Sequence, residues 1–237
     1  MHRLPLTILL LVLFALPLRA GAVEHKFRLS LAGLSVATVV LNVDRAGDRY
    51  TANARVRGRG LVGAFVDMDY DGTSRGRIGP DGMPRPELFQ AQRKDDENGG
   101  RTTVVRYSGG APVSVTADPP YPQRPWNTIP RAQRGTVDPI AAAVAVIDDQ
   151  PVGAACNRTV EIYDGRRRSR IMLGARSRTG QGWICSGIYR RVAGYPPKKM
   201  QELPDYAPAE DLAFRDWNTV LPKQEARTQR LDKIKQN

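Results

Sequence analysis

The chain has 237 residues, with 36 Lys and Arg against 24 Asp and Glu, and only two cysteines and two histidines. A net charge of +12 favours anionic partners. So few Cys and His residues argue against a zinc site and against histidine-based catalysis.

Residues 1–22 are expected to form a secretory leader outside the fold. His2 and Arg3 precede an apolar run, Leu4 to Leu18, interrupted only by Pro5, Thr7 and Pro17. Ala20-Gly21-Ala22 then supplies the small residues for cleavage after Ala22. The run is shorter than the roughly 20 residues a helix needs to span a bilayer. No later stretch is long and apolar enough, so a periplasmic chain with no transmembrane segment is expected. Taking 22 residues from 237 leaves 215, one domain at 23–208 with a C-terminal segment at 209–237. Loss of Arg3 and Arg19 lowers the net charge from +12 to +10. Lipid headgroups, lipopolysaccharide and other polyanions suit that charge, although solubility alone would also account for it.

Val23 to Arg57 alternates with period two, the signature of half-buried strands. Phe27, Leu29 and Leu31 share one face of a first strand. In a second, Ala37, Val39, Leu41 and Val43 alternate with Val36, Thr38, Val40 and Asn42. Arg45 to Asp48 turns the chain, and Tyr50 to Val56 returns. Gly58 to Gly63 holds three glycines in six residues, which suggests a bend or bulge in a curved sheet, and lacks the G-K-[ST] ending of a phosphate loop. Asp67, Asp69, Asp71 and Gly72 open like a calcium loop. Its twelfth position is Ile78 instead of Glu and its ninth is Arg75, so a strand with an acidic solvent face is expected instead.

Gly79 to Pro84 is a turn, and strands follow at Glu87–Lys94, Thr102–Tyr107 and Pro112–Ala117. A polar connection at 94–101 and Gly109-Gly110 separate them. Five prolines between Asp118 and Gly135 make an extended connection. Its Tyr121, Arg124 and Trp126 either form a ligand-facing lip or pin the loop to the body.

The stretch from Thr136 to Tyr195 organises the rest. Asp138 is a good N-cap, Pro139 suits the first helical position, and Ile140 to Ile147 is apolar on every side. Such a helix is buried, here against the concave face of a sheet. Arg158–Tyr163 reads as a strand, Asp164-Gly165 as a two-residue hairpin turn, Arg166–Leu173 as its return and Gly182–Val192 as a third strand. Cys156 and Cys185 enclose 28 residues without a C-x-x-C motif. In an exported chain they are expected to form one structural disulfide. Beyond Pro196 the pattern is irregular; Leu212–Val220 fits a strand or a helix, and Glu225–Lys235 has helix-forming composition without an apolar stripe.

Val137-Asp138-Pro139-Ile140, Ile162-Tyr163-Asp164-Gly165-Arg166-Arg167 and Cys185 to Tyr195 (CSGIYRRVAGY), with Gly60-Leu61 and the turn Asp81-Gly82-Met83-Pro84, resemble the DUF3108 family of exported bacterial proteins. The resemblance implies a periplasmic β-rich fold in which a curved antiparallel sheet partly encloses a helix, similar to lipoprotein carriers and envelope-integrity proteins. Leu221-Pro222 matches the proline that often precedes a last strand in the family, and the polar run after it departs from that pattern.

The expected fold is mainly β: a curved antiparallel sheet or partly open β-barrel wrapped around one short buried helix, with one disulfide. No catalytic constellation, metal site or cofactor motif stands out. His25 is the one histidine left after leader removal, and no G-x-S-x-G exists, so a hydrolase using carboxylates is the remaining enzymatic alternative. No nucleic-acid recognition motif appears. The leading expectation is a non-catalytic envelope protein that holds a lipid or lipoprotein acyl chain or acts as a scaffold. Ile140, Val144 and Ile147 with Trp183 and Tyr189 are the candidate cleft, or else plain core. Arg166, Arg167, Arg168 and Arg170 are the candidate anion-binding set for an electrostatic tether to anionic envelope polymers, or else a cover for an edge strand.

Overall fold

The computed structural model describes residues 22–31, 34–58, 69–93, 100–147, 156–179 and 182–201. The leader up to residue 21, the bend at 59–63, Asp67, most of the 94–101 connection, and everything after Gln201 lie outside the described residues.

Seven strands form one sheet in chain order: β1 (Val23–Leu31), β2 (Leu34–Ala46), β3 (Arg49–Gly58), β4 (Tyr70–Ile78), β5 (Pro84–Arg93), β6 (Arg101–Ser108) and β7 (Ala111–Asp118). Every neighbouring pair is antiparallel, and β1 and β7 do not pair with each other, so the sheet stays open. The period-two pattern sets the inner face, because successive side chains leave opposite sides of a strand. Ala37, Leu41 and Val43 of β2 are buried, and Leu41 and Val43 stand opposite Ala54 and Ala52 of β3.

The inner face of β3, β4 and β5 carries small residues: Ala52, Ala54, Gly72, Ser74 and Ala91. They leave space for α1 (Pro139–Ile147), which lies against these three strands and against β8 (Arg158–Tyr163). The helix is all-apolar because sheet and β8 cover it from two sides. Ile140, Ala141, Ala142, Val144 and Ala145 join Phe27, Tyr50, Phe89, Val105 and Tyr163 in one core.

Asp138 caps the helix. Its Oδ1 accepts the backbone N–H groups of Ile140 and Ala141, both at 2.9 Å. Its Oδ2 accepts the Ser74 hydroxyl at 2.7 Å, and Ser74 Oγ in turn lies 2.9 Å from the Tyr50 hydroxyl. Just before the cap, Val137 forms a parallel bridge to Ile162, with Val137 N–H to Glu161 O and Tyr163 N–H to Val137 O both at 2.8 Å.

β8, β9 (Arg168–Thr179) and β10 (Gly182–Ala193) form a second antiparallel sheet in the order β10-β9-β8. Two expectations are corrected here. The β8–β9 connection has four residues, 164–167, because Tyr163 pairs with Arg168 and the Asp164 carboxylate holds the loop open. The strand carrying Arg168 and Arg170 is central, so these arginines guard no edge. The disulfide joins Cys156, ahead of β8, to Cys185 on β10, with Cα atoms 5.4 Å apart. A short helix, α2 (Pro197–Gln201), follows β10.

Of the acidic stretch, Tyr70 and Asp71 open β4, Asp69 lies just before it, and Asp67 lies outside the described residues. Tyr70 faces inward, and Asp71 accepts Arg57 at 2.7 and 2.9 Å and Arg55 at 3.1 Å. The Arg57 hydrogen bond holds the Asp71 carboxyl below its ordinary value. Among the described residues, no group of three or more His, Cys, Asp or Glu is placed to hold a metal ion, and no helix is long and apolar enough to cross a membrane.

Removing the disulfide in a Cys156→Ser/Cys185→Ser double variant should lower unfolding free energy by roughly 3–4 kcal/mol in urea titrations, by the loop-closure entropy of the unfolded chain. Burial pushes the Asp138 carboxyl up to about 6, against the Ala141, Ser74 and Ile140 hydrogen bonds that favour its charged form. A raised carboxyl pKa means folding favours the protonated form. Its stabilising contribution is full below about pH 4 and is lost as pH rises through about 6. Urea titrations of wild type and Asp138→Asn between pH 4 and pH 7 should therefore differ by a pH-dependent amount on the order of 3 kcal/mol. Parallel curves would contradict this account.

Candidate functional site

A cavity of about 300 Å³ opens where the 164–167 loop meets β4, β5 and β6. Register builds its floor. Phe89, Ala91 and Arg93 alternate onto one face of β5, and Arg101 and Thr103 onto the matching face of β6. Ala91 pairs with Thr103, Arg93 with Arg101, and Tyr70 of β4 with Arg93. Two arginines thus stand directly opposite each other, an arrangement that is unfavourable for like charges.

Tyr121, from the proline-rich connection, supplies one wall. Its hydroxyl lies 2.7 Å from Thr103 Oγ1. The Arg101 and Arg166 guanidinium carbons lie 4.9 and 5.5 Å from the centroid of its ring. Both are cation–π contacts on one ring.

The loop that brings Arg166 and Arg167 is pinned at three points. Asp164 Oδ1 accepts the N–H groups of Arg166 at 2.8 Å and Arg167 at 2.6 Å. Thr128 Oγ1 donates to Arg166 O at 2.8 Å. Gly165, at φ +95°, approaches the large sheet so closely that a Cβ there would sit 2.9 Å from Thr103 Cγ2. Gly194, at φ +83°, backs the loop from the other side, where a Cβ would fall 2.4 Å from Arg166 O.

The electrostatics favour an anion. Burial lowers the Arg166 pKa, and the neighbouring Arg167 charge lowers it further, with Arg101 adding to the effect. Arg166 Nε and the Tyr70 hydroxyl are buried without hydrogen-bond partners, and both residues line the cavity. Burial, then the Asp138 charge, keep the Tyr70 hydroxyl well above the ordinary tyrosine range, so it remains a proton donor. The Asp164 carboxyl, the acidic group lining the cavity, is already engaged by backbone N–H groups. Unpartnered buried donors are costly, and clustered at a concave site they suit an anionic acceptor.

The sequence-derived candidates scatter. Ile140 and Val144 are 2% and 0% exposed and belong to the packed core. Tyr189 is 38% exposed on β10, its hydroxyl 3.0 Å from that of Tyr195. Ile140 and Val144 therefore form no cleft with Tyr189, because the sheet and β8 close over the helix; the side chains of Ile147 and Trp183 lie outside the described residues. The four arginines divide. Arg168 and Arg170 both bind Glu161, the former at 2.9 Å, while Arg166 and Arg167 line the cavity. Tyr121 serves as both pin and lip, whereas Arg124 is exposed away from the lining. Tyr70, Arg93, Arg101 and Thr103 escaped sequence reading. Their signal was present: Ala91-x-Arg93 and Arg101-x-Thr103 stand symmetrically about the polar connection.

Fold and site define a disulfide-bonded, mainly β protein with a cationic, tyrosine-walled pocket. The family described as "Protein of unknown function (DUF3108)" matches residues 26–179, and the chain belongs to it. The match contains every residue lining the pocket and ends before Cys185 and Tyr195. No curated protein and no solved structure matches the chain.

Because Arg166 is held among like charges, Arg166→Met should raise stability by up to ~1 kcal/mol in anion-free buffer, as removal of a strained functional group commonly does. Thermal unfolding at low ionic strength checks this, and a clear loss of stability would contradict it.

Proposed function

We propose that this protein is a non-catalytic, exported envelope protein that binds an anionic group, such as a phosphate or carboxylate of an envelope lipid or polymer, in the arginine–tyrosine pocket. One observation carries the reading: Arg93, Arg101, Arg166 and Arg167 converge on one concave site, two of them on the Tyr121 ring, beside a buried unpartnered tyrosine hydroxyl. Guanidinium groups fit phosphate and carboxylate oxygens in bidentate geometry, and their planes rest well on aromatic rings. The disulfide and the leader-like N-terminal stretch support an oxidising, exported setting. An acyl chain held along the helix draws no support from the packing, since Ile140 and Val144 are enclosed by other core residues.

Calorimetric titration of the mature protein with a hexose 6-phosphate and with the unphosphorylated hexose tests the reading. The phosphorylated sugar should bind and the neutral one should not, and added salt should weaken the binding. Arg101→Gln/Arg166→Gln should lower affinity at least about tenfold, given the strength of charge-assisted hydrogen bonds. Equal affinity in that double variant would refute a pocket-centred anion site.

A further inference from the structure

Register lines up the outer face of the large sheet, the side turned away from α1, in rows that run across the strands. Arg49, Arg77 and Arg85 stand directly opposite one another on β3, β4 and β5. In the next row Arg75 and Arg106 flank Leu88, so two strand spacings, roughly 10 Å, separate them. All five arginines are exposed. Like charges placed opposite each other disfavour strand pairing, and the face neutralises only part of the set. Arg77 meets Asp48 and Glu87, and Arg85 meets Asp81. Arg49, Arg75 and Arg106 form no ion pair with any described residue, and Asp44, at the β2 end of the second row, is two strands from Arg75. A third row runs Asn42, Asn53, Thr73, Gln90, Val104 and Thr116, one residue per strand from β2 to β7. All but Val104 carry an amide or a hydroxyl, and the Thr73 hydroxyl donates to Asn53 Oδ1 at 2.8 Å. At the spacing of neighbouring strands this row is about 24 Å long. The exposed large hydrophobic residues, Val23, Ile129, Tyr189 and Met200, lie off all three rows.

We infer that this outer face binds a linear anionic polysaccharide, with its acidic groups on the arginine rows and its hydroxyls on the amide and hydroxyl row. The inference is independent of the pocket, which opens on the other face of the same sheet. Charge complementarity selects a polyanion, because guanidinium groups without a carboxylate gain most from phosphate, sulfate or carboxylate oxygens. The neighbouring row selects sugar, because amide and hydroxyl side chains both donate to and accept from hydroxyl groups. A face built for a membrane surface would set exposed apolar side chains among the arginines. These rows carry only Leu88 and Val104, both half-buried. Since the rows cross the strands, the polymer lies across them as well.

Calorimetry with dextran sulfate, uncharged dextran and polyacrylate at physiological ionic strength tests this. Dextran sulfate should bind, uncharged dextran should not, and polyacrylate, a polyanion without sugar, should bind more weakly. Arg75→Gln/Arg106→Gln should weaken dextran sulfate about tenfold, the scale of losing two charge-assisted contacts at a surface. Arg101→Gln/Arg166→Gln removes the same charge from the pocket and should change that affinity by less than about twofold, since salt screens charges on the opposite face. Asn53→Ala/Gln90→Ala should weaken dextran sulfate and leave polyacrylate unchanged. The four outer-face side chains are exposed, so urea unfolding of these variants should stay close to wild type. Equal losses in the two arginine variants would reveal bulk charge alone and overturn the inference. So would polyacrylate binding as tight as that of dextran sulfate, or no binding of dextran sulfate at all. Arg75-dependent sedimentation with anionic phospholipid vesicles, in place of dextran sulfate binding, also overturns it and reassigns the face to a membrane. Failure of hexose 6-phosphate to bind, with the dextran sulfate pattern intact, refutes the pocket reading alone.

Discussion

A buried carboxylate joins the two halves of this fold. Asp138 takes two N–H groups from the start of α1 and one hydroxyl from Ser74 of β4, and Tyr50 of β3 stands behind that hydroxyl. One residue earlier, Val137 pairs with β8. Two consecutive residues, Val137 and Asp138, therefore set the helix, the large sheet and the small sheet relative to one another. Burying a carboxylate is unfavourable, and it persists here because its oxygens are met by three donors that have no better partner. The same charge helps keep the Tyr50, Tyr70 and Tyr107 hydroxyls protonated, after burial itself.

The pocket is a consequence of that junction. Once β8 is fixed by Val137, the 164–167 loop falls against β6 and β7, and Gly165 permits the approach. Arg166 and Arg167 are then delivered to a face where β5 and β6 already present Arg93 and Arg101. Within the small sheet the chain separates two uses of arginine. Arg168 and Arg170 meet Glu161, whose side chain is only 16% exposed, and this cluster has a structural explanation. Arg166 and Arg167 meet tyrosines and each other, which adds little to folding and suits an incoming anion. Like-charge convergence at a concave surface is what a binding site costs in stability.

Much of this was legible in the chain. Period-two alternation located the strands, Asp138-Pro139 located the helix start, and Cys156 and Cys185 announced their bond, because each signal depends on residues close in sequence or on a pair with no alternative. The Asp164-Gly165 turn was half right. The dipeptide does reverse the chain, but the buried Asp164 carboxylate collects two further N–H groups and lengthens the loop to four residues. For Ile140 and Val144, the candidate cleft along the helix resolves into the plain core that was its alternative. An all-apolar helix signals burial, and nothing local tells whether the space beside it is empty or filled by Ala52, Ala54 and Tyr163.

The sequence by itself determined the class of fold, its one buried helix, its disulfide and its cationic character, since these follow from composition, spacing and local backbone preference. Only the tertiary structure decided which of the arginines matter. Arg93, Arg101 and Arg166 are brought together by strand register and by the packing of one sheet on another, while Arg168, two residues from Arg166, is turned away to Glu161. Convergence across more than 60 positions is set by cross-strand pairing and layer contact, and no short-range pattern along a chain encodes either.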